Sequence, residues 1–66
     1  MTQNISQSKV YFIEWIEVSG KQKGISTYTS DRLYNAVRGF QEEKPQYTIK
    51  KILDENNNLI YIGDGF

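Results

Sequence analysis

The sequence predicts an α+β fold: β-β-α-β-β, a four-stranded antiparallel sheet with one helix packed on one face. Three observations carry that prediction. Several runs are rich in aromatic and β-branched residues, as strands are. A single stretch repeats its apolar residues with helical spacing. Clusters of Gly, Ser, Asn and Asp separate these runs at short intervals.

Strand one is expected from Lys9 to Val18, with the sequence KVYFIEWIEV. Ser19, Gly20, Lys21 and Gln22 supply turn chemistry. Strand two is expected at about Lys23 to Thr29, closing a hairpin with strand one. Ser30 reads as a helix N-cap, and Asp31 as a first-turn acid that suits the helix dipole. Leu33, Ala36, Val37 and Phe40 then fall at i, i+3, i+4 and i+7, one apolar stripe. Gly39 weakens that helix by about 1 kcal/mol relative to alanine, so it is expected to mark close approach to the sheet. Lys44-Pro45 ends the helix, because proline pushes the residue before it out of the α region. Strand three is expected at about Gln46 to Leu53 and strand four at Leu59 to Gly63. The Asp54-Glu55-Asn56-Asn57-Asn58 run between them is a strong turn signal, since asparagine tolerates positive φ.

With 66 residues the chain is expected to hold one domain, 9–66, behind a flexible N-terminal tail, 1–8. A domain of this size buries only about 60% of its unfolded surface. There is no cysteine to add a disulfide. Such small domains often gain stability by oligomerising. The chain has no histidine either, so the commonest general base and the commonest metal ligand are both missing. No glycine-rich phosphate loop or nucleophile elbow is present. Glu14 and Glu17 point to opposite faces of a strand, and Asp54 and Glu55 sit in a turn. Asp64 lacks the spacing of a calcium loop. The expectation is therefore a protein that is not an enzyme, with no cofactor, no metal and no small-molecule substrate. Gly63 to Phe66 (GDGF) reads either as a frayed end or as an aromatic plug.

Strand one is apolar on both sides, and one helix shields only one side of a sheet. A first turn of Ser19 to Gln22 pairs Val18 with Lys23. Ile16 then lies opposite Ile25, Glu14 opposite Thr27 and Phe12 opposite Thr29. On the reverse side Ile13 meets Tyr28 and Trp15 meets Ser26. This register assigns Phe12, Ile16, Val18 and Ile25 to the helix side. It leaves Tyr11, Ile13, Trp15 and Tyr28 as a partner-binding surface on the open side. Glu14 speaks against that assignment, since it places a charge in the core-side row.

Eight basic residues balance eight acidic ones, whereas dedicated nucleic-acid binders usually carry a basic excess. The function expected is therefore non-catalytic protein binding through the open sheet face or an edge strand, with self-association. The alternative is a small single-stranded nucleic-acid binder, with bases stacked on Tyr47 and Tyr61 and phosphates near Lys50 and Lys51. Adjacent Lys50 and Lys51 point to opposite faces of a regular strand, which weakens that alternative. The polar start MTQNISQS and the absence of a membrane-spanning run lead to a cytoplasmic expectation. As architecture alone, the order of elements resembles small phage and prophage proteins, and a phage-type modulator of a host protein fits it. No residue-level role follows from that resemblance.

Overall fold

A computed structural model describes residues 8–63. The expected tail, apart from Ser8, and the terminal residues 64–66 lie outside the described residues. The elements are β1 (Lys9–Glu17), β2 (Lys23–Ser30), α1 (Leu33–Glu43), β3 (Tyr47–Leu53) and β4 (Leu59–Ile62). They form one antiparallel sheet in the order β2-β1-β3-β4, with α1 on one side, which is the fold the sequence predicts.

The first hairpin turns one residue earlier than expected. Gly20 donates its N–H to the Glu17 carbonyl at 2.7 Å, and Glu17 donates to Gln22 at 2.8 Å. Gly20 adopts φ +80°, where a side chain would be strained, so it belongs inside the turn. Ile16 accordingly pairs with Lys23, Glu14 with Ile25 and Phe12 with Thr27. The expected register is corrected by two residues. A slip of two leaves every side chain on its own face.

The helix begins later than expected. Ser30 pairs with Lys9 as the last residue of β2, so its backbone is committed to the sheet. Arg32 occupies the N-cap position and makes no side-chain capping bond. Asp31 sits just outside the helix, where its Oδ1 accepts from Asn35 Nδ2 at 3.0 Å and from Ser30 Oγ at 3.3 Å. At the other end Lys44 N–H closes on the Phe40 carbonyl at 2.9 Å before Pro45. The apolar stripe is as expected: Ala36 and Phe40 are buried, and Leu33 and Val37 pack against the core.

Which side of the sheet receives that stripe is a further correction. The helix covers Tyr11, Ile13, Trp15 and Tyr28, together with Tyr47, Ile49, Ile52 and Tyr61. Ile13 and Ile52 are fully buried. The expected core residues Phe12, Ile16 and Ile25 are instead on the uncovered side, and Val18 beyond the end of β1 is 70% exposed. Charge decides this. Glu14 lies mid-strand on the side of Phe12 and Ile16, whereas the acid on the covered side, Glu17, stands at the end of β1, clear of the buried centre.

Trp15 organises the covered layer. Its ring lies over Gly24 of β2, donates Nε1–H to Ser26 Oγ at 3.0 Å, and stacks on Tyr47 of β3 at 4.0 Å between centroids. Phe40 from the helix reaches the same Tyr47 at 6.5 Å. On the β2 side the helix comes so close that a Cβ at Gly39 would collide with the Tyr28 hydroxyl. Close approach at Gly39 is thus as the sequence predicts.

Gly39→Ala should therefore lower the thermal midpoint, despite a helix-propensity gain of about 1 kcal/mol. In a Tyr28→Phe background the loss should shrink, because the colliding oxygen is gone. Thermal unfolding of the three variants followed by circular dichroism checks this. A stabilised Gly39→Ala would show that the contact is not tight.

Candidate functional site

The uncovered side of the sheet is built by cross-strand rows. One row runs Thr27–Phe12–Leu53–Leu59 across β2, β1, β3 and β4. The next runs Ile25–Glu14–Lys51–Ile62. A third, shorter row holds Lys23, Ile16 and Thr48. Ile25 is 62% exposed and Ile62 66%, with Leu59 and Val18 also in solvent. Large apolar side chains gathered on one face in this way mark interaction surfaces on soluble domains. The outer side of α1 is different: Arg38 pairs with Glu42 at 3.1 Å and lies over the Tyr34 ring, an ordinary solvated face.

At the centre of this surface Lys51 Nζ lies 3.7 Å from Glu14 Oε2. Both side chains are partly exposed, so the pair by itself adds little stability. Its meaning is positional: it places one negative and one positive charge side by side in an otherwise apolar row. The lysine is there because of a β-bulge. Glu14 pairs with Lys51 and Trp15 with Ile49, which leaves Lys50 as an extra residue. Ile49 and Ile52 can then both face the helix, at 1% and 0% exposure. Lys50 joins Glu14, Lys23 and Ile25 around a shallow hollow of about 360 Å³. Both lysines thus belong to the open side, which corrects the expectation that they point apart. A second bulge in β4 pairs Leu53 with Leu59 and Ile52 with Tyr61, skipping Ile60.

The residues expected at the site are redistributed by these facts. Tyr11, Ile13, Trp15 and Tyr28 are brought together, but beneath the helix. Tyr11 and Ile13 are buried and unavailable as a surface. Tyr47 and Tyr61 pack against the same core, on the side opposite Lys50 and Lys51. The tyrosines and lysines of the nucleic-acid alternative therefore do not share a surface. The residues missed are Ile25, Glu14, Lys51, Leu59 and Ile62 as one face. Two signals pointed to it: the awkward Glu14, and the Ile49-Lys50-Lys51-Ile52 order, which strict alternation cannot satisfy.

Among the described residues no cluster of His, Cys, Asp and Glu could hold a metal, and no helix is long and apolar enough to cross a membrane. A second hollow of about 400 Å³ lies where Lys9, Val10, Asp54, Glu55 and Ile60 meet. Of its two acids, Asp54 is engaged by its own turn. Asp54 Oδ1 accepts the N–H groups of Asn56 at 2.8 Å and Asn58 at 2.9 Å, and Asn57 takes φ +66°. These bonds, the one from the Asn58 backbone foremost, hold the Asp54 carboxyl below its ordinary pKa. Compared with protein-family models, with curated proteins and with solved structures, the chain matches none of them.

Truncation separates the two sides of the sheet. Ile13→Ala should cost about 2–5 kcal/mol in urea unfolding, as buried aliphatic truncations do. In the isolated monomer Ile25→Ala should stay within about 0.5 kcal/mol of wild type. Equal losses would mean that both sides are core.

The turn makes a pH prediction. A carboxylate whose folded pKa is depressed stabilises the fold above its unfolded pKa of about 3.9, and that contribution is lost as pH falls through the lower folded value. Asp54→Asn keeps an acceptor oxygen but has no charge to titrate. Its thermal midpoint should be lower than wild type at pH 7 and fall less steeply below about pH 4. Parallel curves for the two proteins would remove Asp54 as the cause.

Proposed function

We propose that the protein is a non-catalytic protein-binding module that works through the open face of its sheet. The observation that carries this reading is the concentration of exposed Ile25, Leu59 and Ile62, with Phe12 and Leu53 between them, around a single ion pair. A surface of apolar side chains with few charges at its centre has the composition of an interface core. The rim supplies polarity through Lys23, Thr27, Thr48 and Lys50. The non-catalytic part of the reading rests on a sequence without histidine or cysteine and on the location of the acids. A nucleic-acid reading has less to stand on, because Phe12 is the one aromatic ring placed in the open-face rows.

Site-specific photo-crosslinking in living cells tests the proposal. A benzophenone side chain at Ile25 or Ile62 should give discrete protein adducts, while the same group at Asn35 or Arg38 on the outer helix should not. Adduct mass then tells a second copy from a foreign chain. Adducts absent at both sheet positions, or equal at sheet and helix, would overturn the reading.

A further inference from the structure

We infer that the occupant of the open face is a second copy of this chain, stacked face to face about a two-fold axis that runs parallel to the strands between β1 and β3. This rests on the protein-binding reading above and names the partner. The argument is charge complementarity. The central row reads apolar, negative, positive, apolar: Ile25, Glu14, Lys51, Ile62. A two-fold axis lying between the sheets and parallel to the strands reverses the order of strands across the sheet. It sets Glu14 of one copy over the partner's Lys51, twice, and Ile25 over the partner's Ile62, twice. In the neighbouring row Phe12 meets the partner's Leu53 in the same way.

A face-to-face dyad across the strands at the central row keeps strand order and would set Glu14 on its own copy and Lys51 on its own copy. Like charges in contact under an apolar layer are costly, so the charge pattern selects the first axis. Packed sheets cross at about 30° because of twist, and this leaves the central contacts nearest the axis. The chain carries no net charge, so long-range repulsion does not oppose self-association.

Size sets the strength expected. Four strands spaced by about 4.8 Å and six residues rising about 3.3 Å each give a face of roughly 400 Å² in plane. A standard interface contributes about 800 Å² per partner. The dimer should therefore be one that forms and dissociates within the accessible concentration range, rather than a permanent one.

The first test is light scattering behind size exclusion on the full chain up to millimolar concentration. Wild type should approach twice the 7.7 kDa chain mass. Glu14→Lys and Lys51→Glu should each weaken the homodimer at least tenfold, since each makes the central row like-charged on both copies. An equimolar mixture of the two variants should regain the dimer, because every central contact is then between opposite charges. Should either variant fail to fold, single cysteines at the well-exposed Ile25 and Ile62 take their place, in a chain that has no other cysteine. A short bismaleimide should link Ile25→Cys to Ile62→Cys in a mixture, and neither variant to itself.

A wild-type dimer without rescue in the mixture, or with crosslinking of Ile25→Cys to itself, overturns the proposed axis. A monomer at millimolar concentration overturns the second copy as occupant. In that case foreign adducts at Ile25 and Ile62 would still uphold the protein-binding reading, and the absence of any adduct would end both.

Discussion

The bulge at Lys50 is the constraint on which the rest of the sheet depends. A regular strand through Ile49-Lys50-Lys51-Ile52 would send one isoleucine and one lysine to each side. One ammonium group would then lie under the helix beside Phe40, where desolvation disfavours it. One extra residue opposite the Glu14–Trp15 step removes the conflict. Both isoleucines enter the covered layer and both lysines leave it. The same step seats Ile49 opposite Trp15 and Lys51 opposite Glu14, so the covered layer and the charged row are products of a single irregularity.

The covered layer shows how a domain without disulfides fills its interior. The helix is short, and its N-cap residue Arg32 makes no capping bond. Its hold on the sheet comes from shape: Gly39 lets the backbone settle on Tyr28, and Phe40 approaches the Trp15–Tyr47 stack. Flat rings cover much area with few rotatable bonds, so a small number of them can roof a sheet. The cost is that tyrosines and a tryptophan that would make a good binding surface are spent on the interior. The surface left over is largely aliphatic, with Phe12 the one ring in its rows.

Much of the fold was legible in the sequence. The order of elements, the helix stripe, the stop at Lys44-Pro45 and the tolerance of Asn57 for positive φ all follow from local chemistry, and local chemistry is what a sequence displays most directly. The side of β1 that meets the helix was not legible in the same way. Tyr11, Ile13 and Trp15 are as apolar as Phe12, Ile16 and Val18, so alternation alone gives two equal answers. Glu14 broke the tie, and it counts for more than the aromatic composition of the opposite row, because a buried unpaired charge is the larger energy. Ser30 misled for a related reason. It has the chemistry of a cap, but its backbone pairs with Lys9, and long-range pairing overrode the local preference. The candidate site inherited the first of these errors, since its residues were chosen by side.

The strand order has a consequence for when the open face comes into being. β1 and β2 form one local hairpin, and β3 and β4 another, whereas the β1–β3 seam joins segments separated by the whole of α1. Contacts between distant segments form late, because the intervening chain must first be closed into a loop. Glu14 and Lys51 stand on opposite banks of that seam. A chain with either hairpin alone displays half of the charged row, apolar at one end and singly charged at the other. The complete pattern appears only as the domain finishes folding, so the recognition proposed through it would be reserved for finished molecules and withheld from nascent or partly unfolded ones.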